Sequence, residues 1–291
     1  MMPFYGDPSQ FKLAVESVRA QTSSEWRLVV VDDRFPDEEP RRWVESLADP
    51  RITIVLNETN LGVSRNFAKS LGLVRNGYFV LMGCDDILDP EYVGTMSRLI
   101  ARFPSASYFQ PGVTVIDKQG KVALPLADRV KTWYRPRGSS PVQMSGEELA
   151  ISLLRGNWTY FPSICWRTSA VAEYGFRSDY EVVLDLALQL QIVTGGGSLV
   201  LVPDRLFAYR RHDGSVSSWT ARDGSRFGEE KRFFLDTARE MQVRGWSRAQ
   251  RVARTHFSSR LNALTKLPGA LWSSDRVGSN VLIKHVFGGW S

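Results

Sequence analysis

Apolar positions in the first third of the chain follow two alternating patterns. Pro8 to Gln21 carries Phe11, Ala14, Val15 and Val18 on one face of a 3.6-residue period and predicts a helix. Trp26 to Val31 is a β-rich run that ends in Asp32-Asp33. Glu38 to Leu47 predicts a second helix, and Arg51 to Leu56 a strand. A helix opens near Asn60 and runs to about Val74, and Tyr78 to Met82 reads as a buried strand. Asp89-Pro90 then marks a helix start, with Asp as N-cap and Pro at the first helical position. Strands alternating with helices predict an α/β fold with a mostly parallel central sheet flanked by helices.

The pattern changes after Pro104. Ser107 to Asp117 reads as a strand interrupted at Pro111-Gly112. Leu124 to Pro141, rich in Pro, Gly and basic residues, reads as an irregular, mobile loop. Helices are expected from Ser145 to Arg155 and from Val182 to Val193, the latter stopped by Gly195-Gly196-Gly197. Short strands are expected at Leu199–Val202 and Leu206–Tyr209, and the chain reads as all helical from about Arg226. In that last part Arg244, Arg248, Arg251 and Arg254 share one helical arc. Ala249, Val252, Ala253, Phe257 and Leu264 fall on the other side.

Charge sharpens this division. The chain of 291 residues has a net charge of +6. Residues 226–291 hold 12 Lys/Arg against 5 Asp/Glu, so the basic excess belongs to the C-terminal helices. An anionic partner is implied there, such as a membrane surface or an acidic carrier. No nucleic-acid motif accompanies the charge, so no nucleic acid is expected. A hydrophobic content of 43% without a membrane-length apolar run describes a soluble globular chain. No signal peptide is visible, and two cysteines, Cys84 and Cys165, make no disulfide framework. A cytoplasmic location follows, possible contact with the inner membrane face included.

The candidate chemistry sits where the strand Tyr78–Met82 ends. Asp85 and Asp86 are adjacent acids at the carboxyl end of a strand, where open α/β sheets bind ligands. Like charges repel unless a cation lies between them, and a divalent metal carrying a phosphate ester suits two carboxylates. Solvated loop acids are the alternative reading. A dinucleotide-binding oxidoreductase would need Gly-X-Gly-X-X-Gly after the first strand, which is absent.

Several short motifs occur in order. They are Pro3-Phe4-Tyr5, Val29-Val30-Val31-Asp32-Asp33, Asn60-Leu61-Gly62, Ser64-Arg65-Asn66, Asp85-Asp86, Leu184-Asp185, and Tyr209 to Ser217 with His212 inside it. Together they resemble the inverting GT-A glycosyltransferases of family 2, from Pro3 to about Ser217. The resemblance implies a GT-A domain over residues 1–217, with a nucleotide-binding half to about 103 and an acceptor half from about 104, and a helical extension over 218–291. It implies a nucleotide-diphosphate sugar donor, with Tyr5, Asp32, Asp33, Asn60, Arg65 and Asp85 binding it. It implies Mn²⁺ or Mg²⁺ held by Asp86, Asp85 and His212, and Asp185 as the base that activates an acceptor hydroxyl, with Glu181 as the fallback. The acceptor would be a glycan or a polyprenyl-linked glycan, in cell-envelope polysaccharide biosynthesis. Asn157 to Phe161 can line its pocket or belong to the core. Five departures from the family pattern are visible: only Met1-Met2 before Pro3-Phe4-Tyr5 where a longer apolar first strand is usual, Gly6 after Tyr5 in place of Asn, Arg34-Phe35 in place of Gly-Ser, Gly83 in place of the first metal-motif Asp, and Leu184 in place of Glu. A catalytically degenerate sugar-nucleotide-binding partner and a sugar-phosphate nucleotidyltransferase are the alternatives.

Overall fold

The computed structural model describes every residue except 178, 179, 181, 212–224, 273–275 and 289–291, and the side chains of all these except 225, 268–272 and 276–279. Glu181 and His212 therefore lie outside the described residues.

Three parallel strands, β1 (Met2–Phe4), β2 (Leu28–Asp32) and β3 (Ile52–Leu56), pair in the order β1-β2-β3. The next strand, β4 (Tyr78–Val80), joins them beside β1. The Met1 amine donates to the Val80 carbonyl at 2.9 Å, and the Met82 N–H donates to the Met1 carbonyl at 3.1 Å. These bonds have the slanted parallel pattern, so β3, β2, β1 and β4 run in one direction. Between them lie α1 (Pro8–Arg19), α2 (Glu39–Ser46) and α3 (Val63–Gly72). The predicted face of α1 is buried, with Phe11, Ala14 and Val15 at 0% exposure. Asp7 caps the helix, its Oδ1 accepting the N–H groups of Ser9 and Gln10.

Beyond β4 the sheet becomes mixed. It continues through β8 (Cys165–Arg167), β6 (Tyr108–Ile116) and β9 (Ser198–Arg210) to β5 (Ile87–Leu88), with β7 (Val142–Ser145) also paired to β9. Only β6 and β9 are parallel here. The expected break at Pro111-Gly112 is a bulge inside β6 rather than an end. A Cβ on Gly112 would sit 2.9 Å from the carbonyls of Pro203 and Asp204, so glycine permits the close approach. The two short strands expected between residues 199 and 209 are one continuous β9. Asp89 does precede a helix, but α4 (Tyr92–Arg102) starts two residues later than Pro90. The Asp89 carboxylate instead accepts the Glu91 N–H at 3.0 Å.

The irregular loop expected over Leu124–Pro141 contains a helix, α5 (Leu126–Tyr134). Its anchor is Asp128, fully buried and ion-paired to Arg211 at 2.7 Å. Next come α6 (Gly146–Arg155), α7 (Thr168–Tyr174) and α8 (Leu184–Thr194). The C-terminal part consists of α9 (Ser225–Val243), α10 (Ser247–Thr255), α11 (Phe257–Trp272) and α12 (Arg276–Phe287).

One apolar core lies under α1, β1 and α4. Another joins α6, α8 and β8 to α9 and α10, so the first two C-terminal helices pack onto the sheet domain. The arginine arc is divided. Arg244 donates to the Thr194 carbonyl at 2.7 Å and Arg248 to Glu148 at 2.6 Å, both on the sheet domain. Ala249 and Ala253 are buried as expected, whereas Phe257 is 66% and Leu264 43% exposed. The helix breaks at His256, which takes a φ of 32°. Phe257 and Leu264 thus belong to a second helix with a different rotation, and the single amphipathic helix expected there is two. No helix among the described residues is long and apolar enough to cross a membrane.

Candidate donor and acceptor site

The candidate residues of the first half collect at the carboxyl edge of β1, β2, β3 and β4, the ligand-binding edge of open α/β sheets. Tyr5 follows β1 and is 53% exposed. Phe35 supports it edge-on, ring centroids 5.5 Å apart, which leaves the ring free to stack on a base. Arg34, just before Phe35, takes a φ of 61°. Gly6 fits beside Cys84: a Cβ there would meet its Sγ at 3.1 Å. The Cys84 thiol is pushed up to about 12 by burial and by the Asp85 charge, so it packs as a neutral group.

The two acids after β2 have different surroundings. Asp33 is buried, and its carboxylate accepts from Asn57 Nδ2 at 2.7 Å, Leu61 N at 2.8 Å and Gly62 N at 2.9 Å. It therefore shapes the Asn60–Gly62 loop. Asn60 is exposed and accepts the Gly62 N–H at 3.0 Å. Gly62, with a φ of 78°, turns the chain into α3. Arg65 then projects into solvent from the first turn of that helix. Asp32 is also buried; its Oδ1 accepts the Phe35 N–H at 2.8 Å, and desolvation raises its pKa above the usual carboxylate value.

Asp85 and Asp86 converge. A Cβ on Gly83 would lie 2.8 Å from Asp85 Oδ1 and 2.7 Å from Asp86 Oδ2. Gly83 therefore opens the space into which both carboxylates point, and a side chain there would fill it. Asp86 is 1% exposed, and burial, then the Asp85 charge, drive its pKa well above the carboxylate range. Two converging oxygens on a desolvated turn fit a hard divalent cation that takes its other ligands from phosphate and water. The turn is fixed by Arg210, itself 3% exposed. Its N–H donates to Asp86 Oδ1 at 2.9 Å and its Nε to the Asp85 carbonyl at 2.7 Å, while Nη1 donates to the carbonyls of Asp117 and Lys118 at 2.9 and 3.1 Å.

From Arg210 a chain of polar contacts leads to Asp185. The next residue, Arg211, pairs with Asp128, which also accepts from the Tyr160 hydroxyl at 2.9 Å. One turn along α5, Lys131 donates to the Thr159 carbonyl at 2.8 Å and lies 4.3 Å from the centre of the Tyr160 ring. Burial pushes the Lys131 ammonium down to about 8, opposed by the charge of Asp185. Asp185 stands in the first turn of α8, where it accepts the Leu186 N–H at 2.8 Å and Asn157 Nδ2 at 3.0 Å. It is half-buried, within the fields of a cation and a helix N-terminus.

Of the aromatic segment Asn157–Phe161, Trp158 and Tyr160 are core residues at 1% and 8% exposure. Trp158 Nε1 donates to Ser152 at 3.1 Å. From this segment Asn157 hydrogen-bonds the Asp185 carboxylate. Lys131 and Asp128 are not marked by the sequence pattern, because the stretch Leu124–Pro141, rich in Pro, Gly and basic residues, reads as a loop. Pro125 followed by a helix-capable run to Tyr134 was the available signal.

A family model described as Glycosyl transferase family 2 matches residues 1–151. An uncharacterised protein of Sinorhizobium fredii is 33% identical over 109 residues, 36% of this chain and 12% of its own length. An uncharacterised protein of Mycobacterium tuberculosis is 25% identical over 75% of this chain and 67% of its own. An uncharacterised glycosyltransferase of Haemophilus influenzae is 23% identical over 70% of this chain and 62% of its own. Among solved structures, S. aureus TarS 1–349 in complex with UDP-GlcNAc superposes with a TM-score of 0.71 at 13% identity, covering 98% of this chain and 80% of that one. The fold is that GT-A fold, with a helical C-terminal part.

Proposed function

This chain belongs to glycosyl transferase family 2, and on that premise we propose that it transfers a sugar from a nucleotide-diphosphate donor, with inversion, to a hydroxyl of a glycan or polyprenyl-linked glycan. The observation that carries the reading is the convergence of Asp85 and Asp86 over Gly83 at the carboxyl edge of the parallel strands. The base of the donor would stack on Tyr5 and hydrogen-bond Asp32, and Arg65 would face the diphosphate. Asn60 and Asp33 would keep the loop above the ribose in shape. UDP sugars are the first donors to try, because a structural neighbour binds UDP-GlcNAc.

Asp85 and Asp86 would hold Mn²⁺ or Mg²⁺, and the ion would supply positive charge for the departing diphosphate. Asp185 takes the acceptor proton as the hydroxyl oxygen bonds to the anomeric carbon and the bond from that carbon to the diphosphate breaks on the opposite face. Its ordered carboxylate, accepting two N–H groups, is ready for that role.

The acceptor end of the reading includes peripheral contact with an anionic membrane on the cytoplasmic side. Arg244 and Arg248 are tied to the sheet domain, so that contact would rest on Arg251, Lys266 and Lys284, which are exposed, as are Phe257, Leu261 and Leu264.

The test is a transfer assay with UDP sugars, Mn²⁺ and a panel of glycan acceptors, following nucleoside diphosphate release and the anomeric configuration of the product by NMR. Release that needs acceptor, with inverted product, is expected. Donor binding without turnover on any acceptor would favour the degenerate partner protein. Formation of a nucleotide sugar from a sugar phosphate would favour the nucleotidyltransferase.

A further inference from the structure

Behind Asp185 a second residue pair sets its hydrogen bond. We infer that Gln189 and Thr159 are positioning residues that fix the amide of Asn157 so that it donates to Asp185 and aims that carboxylate. The inference rests on the reading of Asp185 as the base.

The direction of each bond follows from chemistry. Gln189 is fully buried on α8, one turn after Asp185. Its side-chain nitrogen lies 3.2 Å from the Asp185 carbonyl and 3.0 Å from Thr159 Oγ1. A carbonyl oxygen can only accept, so the nitrogen, not the oxygen, of the Gln189 amide faces it. Thr159 Oγ1 accepts from the same nitrogen, and its one hydroxyl proton points on to Asn157 Oδ1 at 2.8 Å. With its oxygen engaged, Asn157 presents Nδ2 to Asp185 Oδ2 at 3.0 Å. Four groups thus form a one-way line of donors ending on a carboxylate.

Packing alone does not explain this line. Gln189 Oε1 is buried and has no partner among the described residues. A leucine or methionine would fill the same space without a desolvated oxygen. What only a glutamine-like donor supplies here is the nitrogen that starts the line.

The line acts on the aim of Asp185. With Oδ1 on the Leu186 N–H and Oδ2 on Asn157 Nδ2, the carboxylate is held in one orientation. The charged groups nearby are held without the Thr159 side chain: Lys131 on α5 donates to the Thr159 backbone carbonyl, Asp128 pairs with Arg211, and Glu229 on α9 accepts the N–H groups of Val182 and Val183. A change at Thr159 Oγ1 therefore isolates the donor line.

The experiment is kcat and donor KM in the transfer assay, with Tm, for the parent, Thr159→Val, Thr159→Ser and Asp185→Asn. Thr159→Val keeps the shape and removes the hydroxyl that donates to Asn157. With the Asn157 amide free to turn, kcat should fall roughly tenfold while donor KM stays within about twofold. Thr159→Ser, which keeps the hydroxyl, should restore the parent kcat. A merely structural role would lower Tm and leave kcat of the folded enzyme unchanged. A kcat of Thr159→Val within twofold of the parent, with Asp185→Asn inactive, overturns the inference and leaves the base reading standing. An active Asp185→Asn overturns the base reading itself. Should Thr159→Val fail to fold, Gln189→Met cuts the line one link earlier, and its kcat must fall with donor KM unchanged.

Discussion

Replacing Arg210 by alanine is the strongest single test of how the acidic turn is held. The guanidinium is buried and donates to three carbonyls, those of Asp85, Asp117 and Lys118. Removing it leaves those oxygens without a donor, and water reaches the exposed Lys118 more readily than the half-buried Asp85 and Asp117. Hydrogen bonds from a charged group contribute about 1.5–3 kcal/mol each, and partial rehydration brings the net loss to roughly 3–5 kcal/mol. At about 2 °C per kcal/mol for a large domain, Tm should fall by roughly 6–10 °C. The backbone N–H of residue 210 still reaches Asp86, so the fold survives while Asp85 loses the bond that fixes its peptide. Arg210→Lys keeps the charge without the planar fork and should recover less than half of the loss. Calorimetry gives Tm, and titration with a UDP sugar in Mn²⁺ gives the donor affinity, expected to drop at least tenfold. A variant with Tm within 2 °C of the parent and unchanged donor affinity would refute the assignment of Arg210 as the anchor of the turn.

Further outcomes follow from the same geometry. Asp185→Asn should cost about 10²–10⁴ in turnover, the range for lost general-base catalysis, with donor affinity within twofold by titration. Asp86→Asn should raise Tm in metal-free buffer at neutral pH. The folded-state pKa of Asp86 lies above its unfolded value, so its favourable contribution exists below the usual carboxylate range and is lost as pH rises through the raised value. The Tm advantage of the variant should therefore vanish near pH 3, which thermal scans across pH will check. Arg34→Gly removes a side chain from left-handed backbone and should change stability by no more than about 1 kcal/mol in the stabilising direction, measured by urea unfolding. A destabilised glycine variant would mean that the Arg34 side chain holds the loop.

The strands and helices of the first hundred residues were legible because their signals are local. The alternation of strand and helix, the buried face of α1 and the acids at strand ends all depend on neighbours within a few positions. Helix α5 was missed because its anchor is remote: Asp128 is held by Arg211, 83 residues later. Trp158 and Tyr160 were ambiguous because an aromatic run suits a sugar pocket and a core equally, and only tertiary burial decides. The long basic helix was read through His256 because a left-handed break at a non-glycine residue has no local signature. Asp33 looked equivalent to Asp32 in sequence. Its three donors come from Asn57 and the loop at Leu61 and Gly62, which the fold brings back to β2.

The central claim, a donor held through metal at Asp85 and Asp86, is tested most directly by isothermal titration of a UDP sugar into the protein. The parent should bind in Mn²⁺ and lose at least tenfold in affinity in EDTA, and Asp86→Asn should bind weakly and equally in both. Equal affinity of parent and variant in Mn²⁺, or parent binding indifferent to EDTA, would contradict the claim.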